Sequence, residues 1–189
     1  TDAFHFYPVI VRDSIATIYL HNNMLEYGHT YYVTIDNGVL NLADGSFQGV
    51  TKEDEWTFTT KSDMPELSDT LIVDATGKGD FNTVQGALDF IPDFNEQQTV
   101  ILVNPGDYEE LVYTRNKWNV KIKGAGMADT KVHYANNEVF NPHPLTVKTN
   151  EWPGTFPSRR AAFMLDNCKD IVIEDMTIAT DLKGQAEGL

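Results

Sequence analysis

The chain has 189 residues, enough for one domain of ordinary size or two small ones. Hydrophobic residues make up 41% and aromatics 11%, which argues against a disordered acidic chain, and no run approaches the roughly 20 apolar residues needed to span a bilayer. With 28 acidic against 14 basic residues the net charge is −14, so nucleic acid and anionic membranes are disfavoured as partners.

In chain order, residues 1–64 read as short strands separated by polar turns. Ile15, Ile18 and Leu20 lie in one run, and Tyr31-Tyr32-Val33-Thr34-Ile35 has the aromatic and β-branched content of a half-buried strand. Turns follow at Asp36-Asn37-Gly38 and Asp44-Gly45-Ser46, where Asn and Gly tolerate positive φ. The stretch closes with Trp56-Thr57-Phe58-Thr59-Thr60, whose period of two sends Trp56 and Phe58 to one face. Strands at this spacing suggest a β-sandwich. Lys61-Ser62-Asp63-Met64-Pro65-Glu66 reads as a linker, which divides the chain into 1–64 and 65–189.

The second piece has one helix, with Phe81, Val84, Leu88 and Ile91 on a single stripe. Asp80 or Asn82 is expected to cap its start, and Pro92 cannot continue it. Brief β runs follow at Val100–Val103, Leu111–Tyr113, Val120–Lys123, Ala161–Leu165, Ile171–Ile173 and Met176–Ile178, most of them bounded by Asn, Asp, Gly or Pro. The stretch Asn167–Ile178 has the form turn, strand, bend, strand. Such runs without intervening helices suit an all-β, right-handed parallel β-helix, in which each strand stacks on its equivalent one coil away; a second sandwich is the alternative.

Chemistry is sparse. The five histidines show no metal-binding spacing, Gly-x-Ser-x-Gly is absent, and Asp74–Asp80 lacks both the Gly-Lys-Ser/Thr end of a phosphate loop and the Glu of a calcium loop. That segment reads as a structural turn leading into the helix. Cys168, the only cysteine, reads as a small buried hydrophobe rather than a nucleophile. A Pro-rich region at Asn141–Pro144 and Glu151–Arg160 is longer than most connections.

Leu71–Gly126 carries a resemblance. Val73, Asp74, Gly77, Gly79, Asp80, Phe81, Thr83, Val84, Gln85 and Ala87, then Val103, Pro105, Gly106, Tyr108 and Glu110, then Gly124 and Gly126 follow a pattern similar to the opening of the pectin methylesterase family. Gln185-Ala186-Glu187-Gly188-Leu189 resembles that family's Gln-Ala-Val-Ala-Leu element, with Glu187 and Gly188 departing from it. Residues 15–61 are similar to the later strands of a bacterial Ig-like domain of the S-layer type, through Leu25, Tyr27, Gly28, Thr30, Tyr31, Val33, Ile35, Gly38, Asp44, Gly45, Trp56, Phe58 and Thr60.

The family resemblance implies hydrolysis of methyl esters on pectin by a carboxylate nucleophile, without metal or organic cofactor. It implies that Gln185 donates to the oxyanion, unless it is simply a polar rung residue. The aspartate motifs, Tyr-Gln-Asp-Thr-Leu and Phe-Gly-x-Ala, appear nowhere in the chain, nor does the family's arginine, so the 189 residues alone are expected to be inactive. Trp152 and Phe156 either stack on sugar rings or pack their loop. Arg159 and Arg160 either pair with galacturonate carboxylates or face solvent, and Thr155 follows the family order loosely. Pectin or oligogalacturonate is the expected partner, an exported bacterial protein (secreted, periplasmic or cell-surface) the expected setting, and self-association through an uncovered last coil the expected assembly. A non-catalytic carbohydrate-binding β-helix, a polygalacturonase and a pectate lyase are the alternatives.

Overall fold

The computed structural model describes residues 9–12, 14–18, 20, 24–40, 42–136, 161–183 and 186–189. The chain forms two compact units that divide between Glu66 and Leu67.

The first unit holds two antiparallel pairs. Strands β1 (Val9–Arg12) and β2 (Ile15–Ile18) make one, and β3 (Thr30–Tyr32) and β4 (Thr57–Thr59) the other. Tyr31 lies opposite Phe58 with the rings stacked at 5.6 Å, and an isolated bridge joins Ile35 to Val50. The run predicted over Tyr31–Ile35 is thus a short strand followed by one bridge. Among the described residues of 14–66 no side chain is buried, and Trp56 is 43% exposed, so the face shared with Phe58 is only partly covered.

The second unit is built from parallel strands. Strand β5 (Thr70–Val73) leads into helix α1 (Val84–Phe90), and β6 (Thr99–Val103), β7 (Gly106–Glu109), β8 (Val112–Arg115), β9 (Trp118–Lys123) and β10 (Thr130–Tyr134) follow. After residues 137–160 come β11 (Phe163–Asp166), β12 (Lys169–Glu174) and β13 (Thr177–Thr180). Three sheets result, ordered β5-β6-β9-β12, β7-β10-β13 and β8-β11, with every neighbour pair parallel. From β6 onward the chain visits the three sheets in fixed rotation.

Like side chains consequently stack between coils. Leu71 pairs with Ile101, Ile101 with Ile122 and Ile122 with Ile173; Tyr108, Val132 and Ile178 form a second row. Leu71, Ile101, Ile122 and Val132 are wholly buried, each worth about 1.5–3 kcal/mol of transfer free energy. Residues of the last coil, Leu165, Ile171, Ile173, Met176 and Ile178, are only partly buried. The backbone enters the left-handed region between strands at Asn116, Asn167 and Asp175 and near the starts of β9 and β12 at Asn119 and Asp170, residue types whose short polar side chains tolerate it. Asn167 donates its amide to Asn116 Oδ1 at 2.6 Å, so equivalent corners of successive coils are tied together.

Helix α1 packs on β5, β6 and β8 and buries Val84, Ala87 and Leu88, closing the end of the stack where β5 lies. Its N-cap is Thr83, whose hydroxyl accepts from Gly86 N at 3.0 Å, not Asp80 or Asn82. Asp80 is drawn away because its carboxylate accepts from Ile72 N at 2.7 Å, bracing the turn against β5. Strand β10 escapes the sequence pattern: in Thr130-Lys131-Val132-His133-Tyr134 two ionisable residues interrupt the apolar positions, which leaves too short an alternation to stand out.

Candidate functional site

Gln185 and the five residues predicted to bind substrate, Trp152, Thr155, Phe156, Arg159 and Arg160, lie outside the described residues. Their anchors do not. Ala162 N donates to Glu187 O and Phe163 N to Gly188 O, both at 2.9 Å, and Ala161 bridges Glu187 in parallel. The Gln-Ala-x-x-Leu element therefore ends as a further row on the β8-β11 sheet. The residues that flank 137–160, Asn136 and Ala161, meet. Asn136, wholly buried, donates its amide to Ala161 O at 2.8 Å, and its own carbonyl accepts from Thr180 Oγ1 at 2.8 Å. Both feet of the Pro-rich region thus stand beside the row that carries the terminal element.

The motif residues of the first coil act as fasteners. Asp74 accepts from Thr76 N at 2.8 Å and from Asn104 Nδ2 at 2.8 Å, as well as from the Thr76 hydroxyl, and these bonds lower its pKa to about 2. This is the structural turn expected of the Asp74–Asp80 segment. The Gln85 amide pairs with the backbone of Tyr113 at both ends: Nε2 donates to Tyr113 O at 2.8 Å, and Oε1 accepts from Tyr113 N at 2.7 Å. Glu110 reaches back to the helix, its two oxygens accepting from Val84 N at 2.8 Å and Gln85 N at 2.9 Å. Burial pushes its carboxyl up to about 7, outweighing the two amide bonds that favour the charged form. Tyr108 donates its hydroxyl to Asn104 O at 2.9 Å.

One titratable cluster went unseen in the sequence because its members are far apart along the chain. His133, nearly buried on β10, lies with Nδ1 2.5 Å from Asp181 Oδ2 and Nε2 2.8 Å from Asp107 Oδ1, the second contact close but out of line for a hydrogen bond. Asp181 N in turn donates to Tyr134 O at 3.1 Å, so the cluster stands within a few residues of the Asn136 clasp. The register that brings Asp107 and His133 to adjacent strands is the signal that a sequence pattern does not carry. Among the described residues no group of three or more His, Cys, Asp or Glu is arranged to hold a metal ion. Cys168 is partly buried and its Sγ donates to Asp166 O at 3.4 Å; burial pushes the thiol pKa up, which suits a packing residue rather than a nucleophile.

The family model for pectinesterase matches residues 70–186, the span from β5 to the terminal element. The chain belongs to the pectinesterase family. Over 96 residues it is 33% identical to the probable pectinesterase 67 of Arabidopsis thaliana, covering 47% of this chain and 28% of that protein. The pectinesterase QRT1 of the same plant is 50% identical over 42 residues, 22% of this chain and 11% of the relative. The probable pectinesterase 8, also from that plant, is 36% identical over 63 residues, 33% and 16% respectively. The matches therefore span less than a third of each relative's length. All three relatives are plant proteins. In pectinesterase terms, Asp74, Gln85, Tyr108 and Glu110 hold the first coil and the helix together; no described neighbour gives any of them a reacting group to act upon.

Proposed function

We propose that the protein carrying this chain hydrolyses methyl esters of polygalacturonate, giving methanol and a free carboxylate, on a right-handed parallel β-helix. The observation that carries this reading is the pectinesterase match across residues 70–186, the span in which the chain visits three parallel sheets in rotation. In this mechanism an aspartate of the whole protein attacks the ester carbonyl and a second aspartate serves as acid and base. Gln185 donates to the developing oxyanion, a donor fixed in advance where negative charge appears. Trp152 and Phe156 stack on sugar rings, Thr155 lines the same cleft, and Arg159 and Arg160 pair with free carboxylates. The fixed feet of their loop beside the Glu187 row support placing these residues and Gln185 in one cleft. A net charge of −14 repels de-esterified product more than ester-rich substrate.

Residues 1–64 complete the reading as part of a bacterial Ig-like module, with the whole protein exported. Methanol release from methyl-esterified pectin by the whole protein tests the activity. Gln185→Ala is expected to lower kcat by about 10²–10³-fold with little change in KM, the signature of a contact made only in the transition state. An unchanged kcat would remove Gln185 from the mechanism. The 189 residues alone are expected to release no methanol, since neither family aspartate motif is among them.

A further inference from the structure

Phe94 is the one described residue other than Gly, Asn or Asp whose backbone lies at positive φ, at 56°. A bulky side chain is strained there, and such outliers persist only where the surroundings hold them and cluster where they serve a ligand. The surroundings of Phe94 do hold it. Its N–H donates to Asn116 O at 2.8 Å, and Lys117 Nζ clamps the preceding turn to Ile91 O at 2.5 Å and Asp93 Oδ1 at 2.7 Å. Asn95 Oδ1 accepts from Trp118 N at 3.2 Å, and Asn119 Nδ2 donates to Asn95 O at 2.9 Å. These bonds fasten both sides of Phe94, yet they leave the residue 47% exposed. The ring meets the half-buried Trp118 edge-on at 5.1 Å and 78°, and Lys169 Nζ stands 5.4 Å from the indole centroid. Burial in a core therefore does not explain the strain.

We propose that Phe94, Trp118 and Lys169 form a second carbohydrate-binding site, specific for a methyl-esterified galacturonan segment and separate from the Gln185 row. The proposal rests on the pectin reading above. Two aromatic rings at right angles offer flat faces and edges to the C–H surfaces of pyranose rings and to ester methyl groups. Lys169, 65% exposed, is placed to donate hydrogen bonds to ester or ring oxygens. Charge selects the ester form. Lys117 and Lys169 are paired with Asp93 and Asp170, and the chain carries a net charge of −14, so a polyanionic chain is repelled where a neutral one is not.

Calorimetric titration of the chain with methyl-esterified oligogalacturonate and with its de-esterified counterpart tests this. The wild type is expected to bind the ester form and to bind the acid form more weakly. Phe94→Gly is the informative variant, because glycine takes positive φ without strain while removing the ring. It should weaken ester binding by about tenfold, the effect of losing one aromatic contact, with a melting midpoint close to that of the wild type. Unchanged affinity in Phe94→Gly, equal binding of both polymers, or a midpoint that collapses without loss of affinity would each overturn the proposal. Methanol release by the whole protein separates the two claims: turnover without Phe94-dependent binding removes only the second site, and Phe94-dependent binding without turnover removes only the esterase reading.

Discussion

Glu110 shows how a buried carboxylate can be a structural latch with a pH signature. Its folded pKa, raised to about 7, means the native state keeps a proton that the unfolded chain has released. Its contribution to stability is then largest below the ordinary carboxylate value and declines as pH rises towards about 7. Urea unfolding at pH 4.5 and pH 7 should show that decline in the wild type, and Glu110→Gln should flatten it; parallel curves would show that another group is responsible. Gln85→Ala should cost about 1–3 kcal/mol, because the Tyr113 N–H and carbonyl on β8 lose the partners that stand in for a strand. Cys168 should react slowly with thiol reagents at pH 7 and faster only well into the alkaline range, as its raised pKa requires. At this scale the sequence displayed which residue types matter but not their jobs. Gln85 and Glu110 stand in the family pattern side by side with Gly77 and Gly79, and only the fold reveals that the amide and the carboxylate both serve the helix–coil junction. Gln185 was legible by resemblance alone, since nothing in a single Gln-Ala-x-x-Leu run says where its amide points.

Strands were legible wherever β-branched residues ran together, as at Val100–Val103 and Ile171–Ile173, and the helix wherever its stripe was regular. What the pattern could not carry was pairing. Parallel strands a coil apart share no turn, so nothing local sets the register that joins Ile101 to Ile122 and Ile122 to Ile173. The same ignorance hid β10 and the contacts of His133. The stacked rows make a graded prediction. Ile122→Ala, wholly buried between Ile101 and Ile173, should cost about 2–5 kcal/mol by chemical denaturation. Ile173→Ala in the same row, being only partly buried, should cost distinctly less. Equal costs would mean that the last coil is as well packed as the middle one.

The two units differ in what stabilises them. From Leu67 onward the chain has a continuous buried core, whereas the described residues of 14–66 have no buried side chain. At one end of the stack α1 closes the core; at the other, Leu165, Ile173 and Ile178 remain partly open. The strand register carries one more consequence. Val112 meets Phe163 and Trp118 meets Lys169 in step even though residues 137–160 intervene, and the Asn136–Ala161 hydrogen bond pinches that segment shut at its base. Since closing a loop at fixed ends depends only weakly on its length, the number of residues between Asn136 and Ala161 is expected to be free to change while the parallel register on either side is kept.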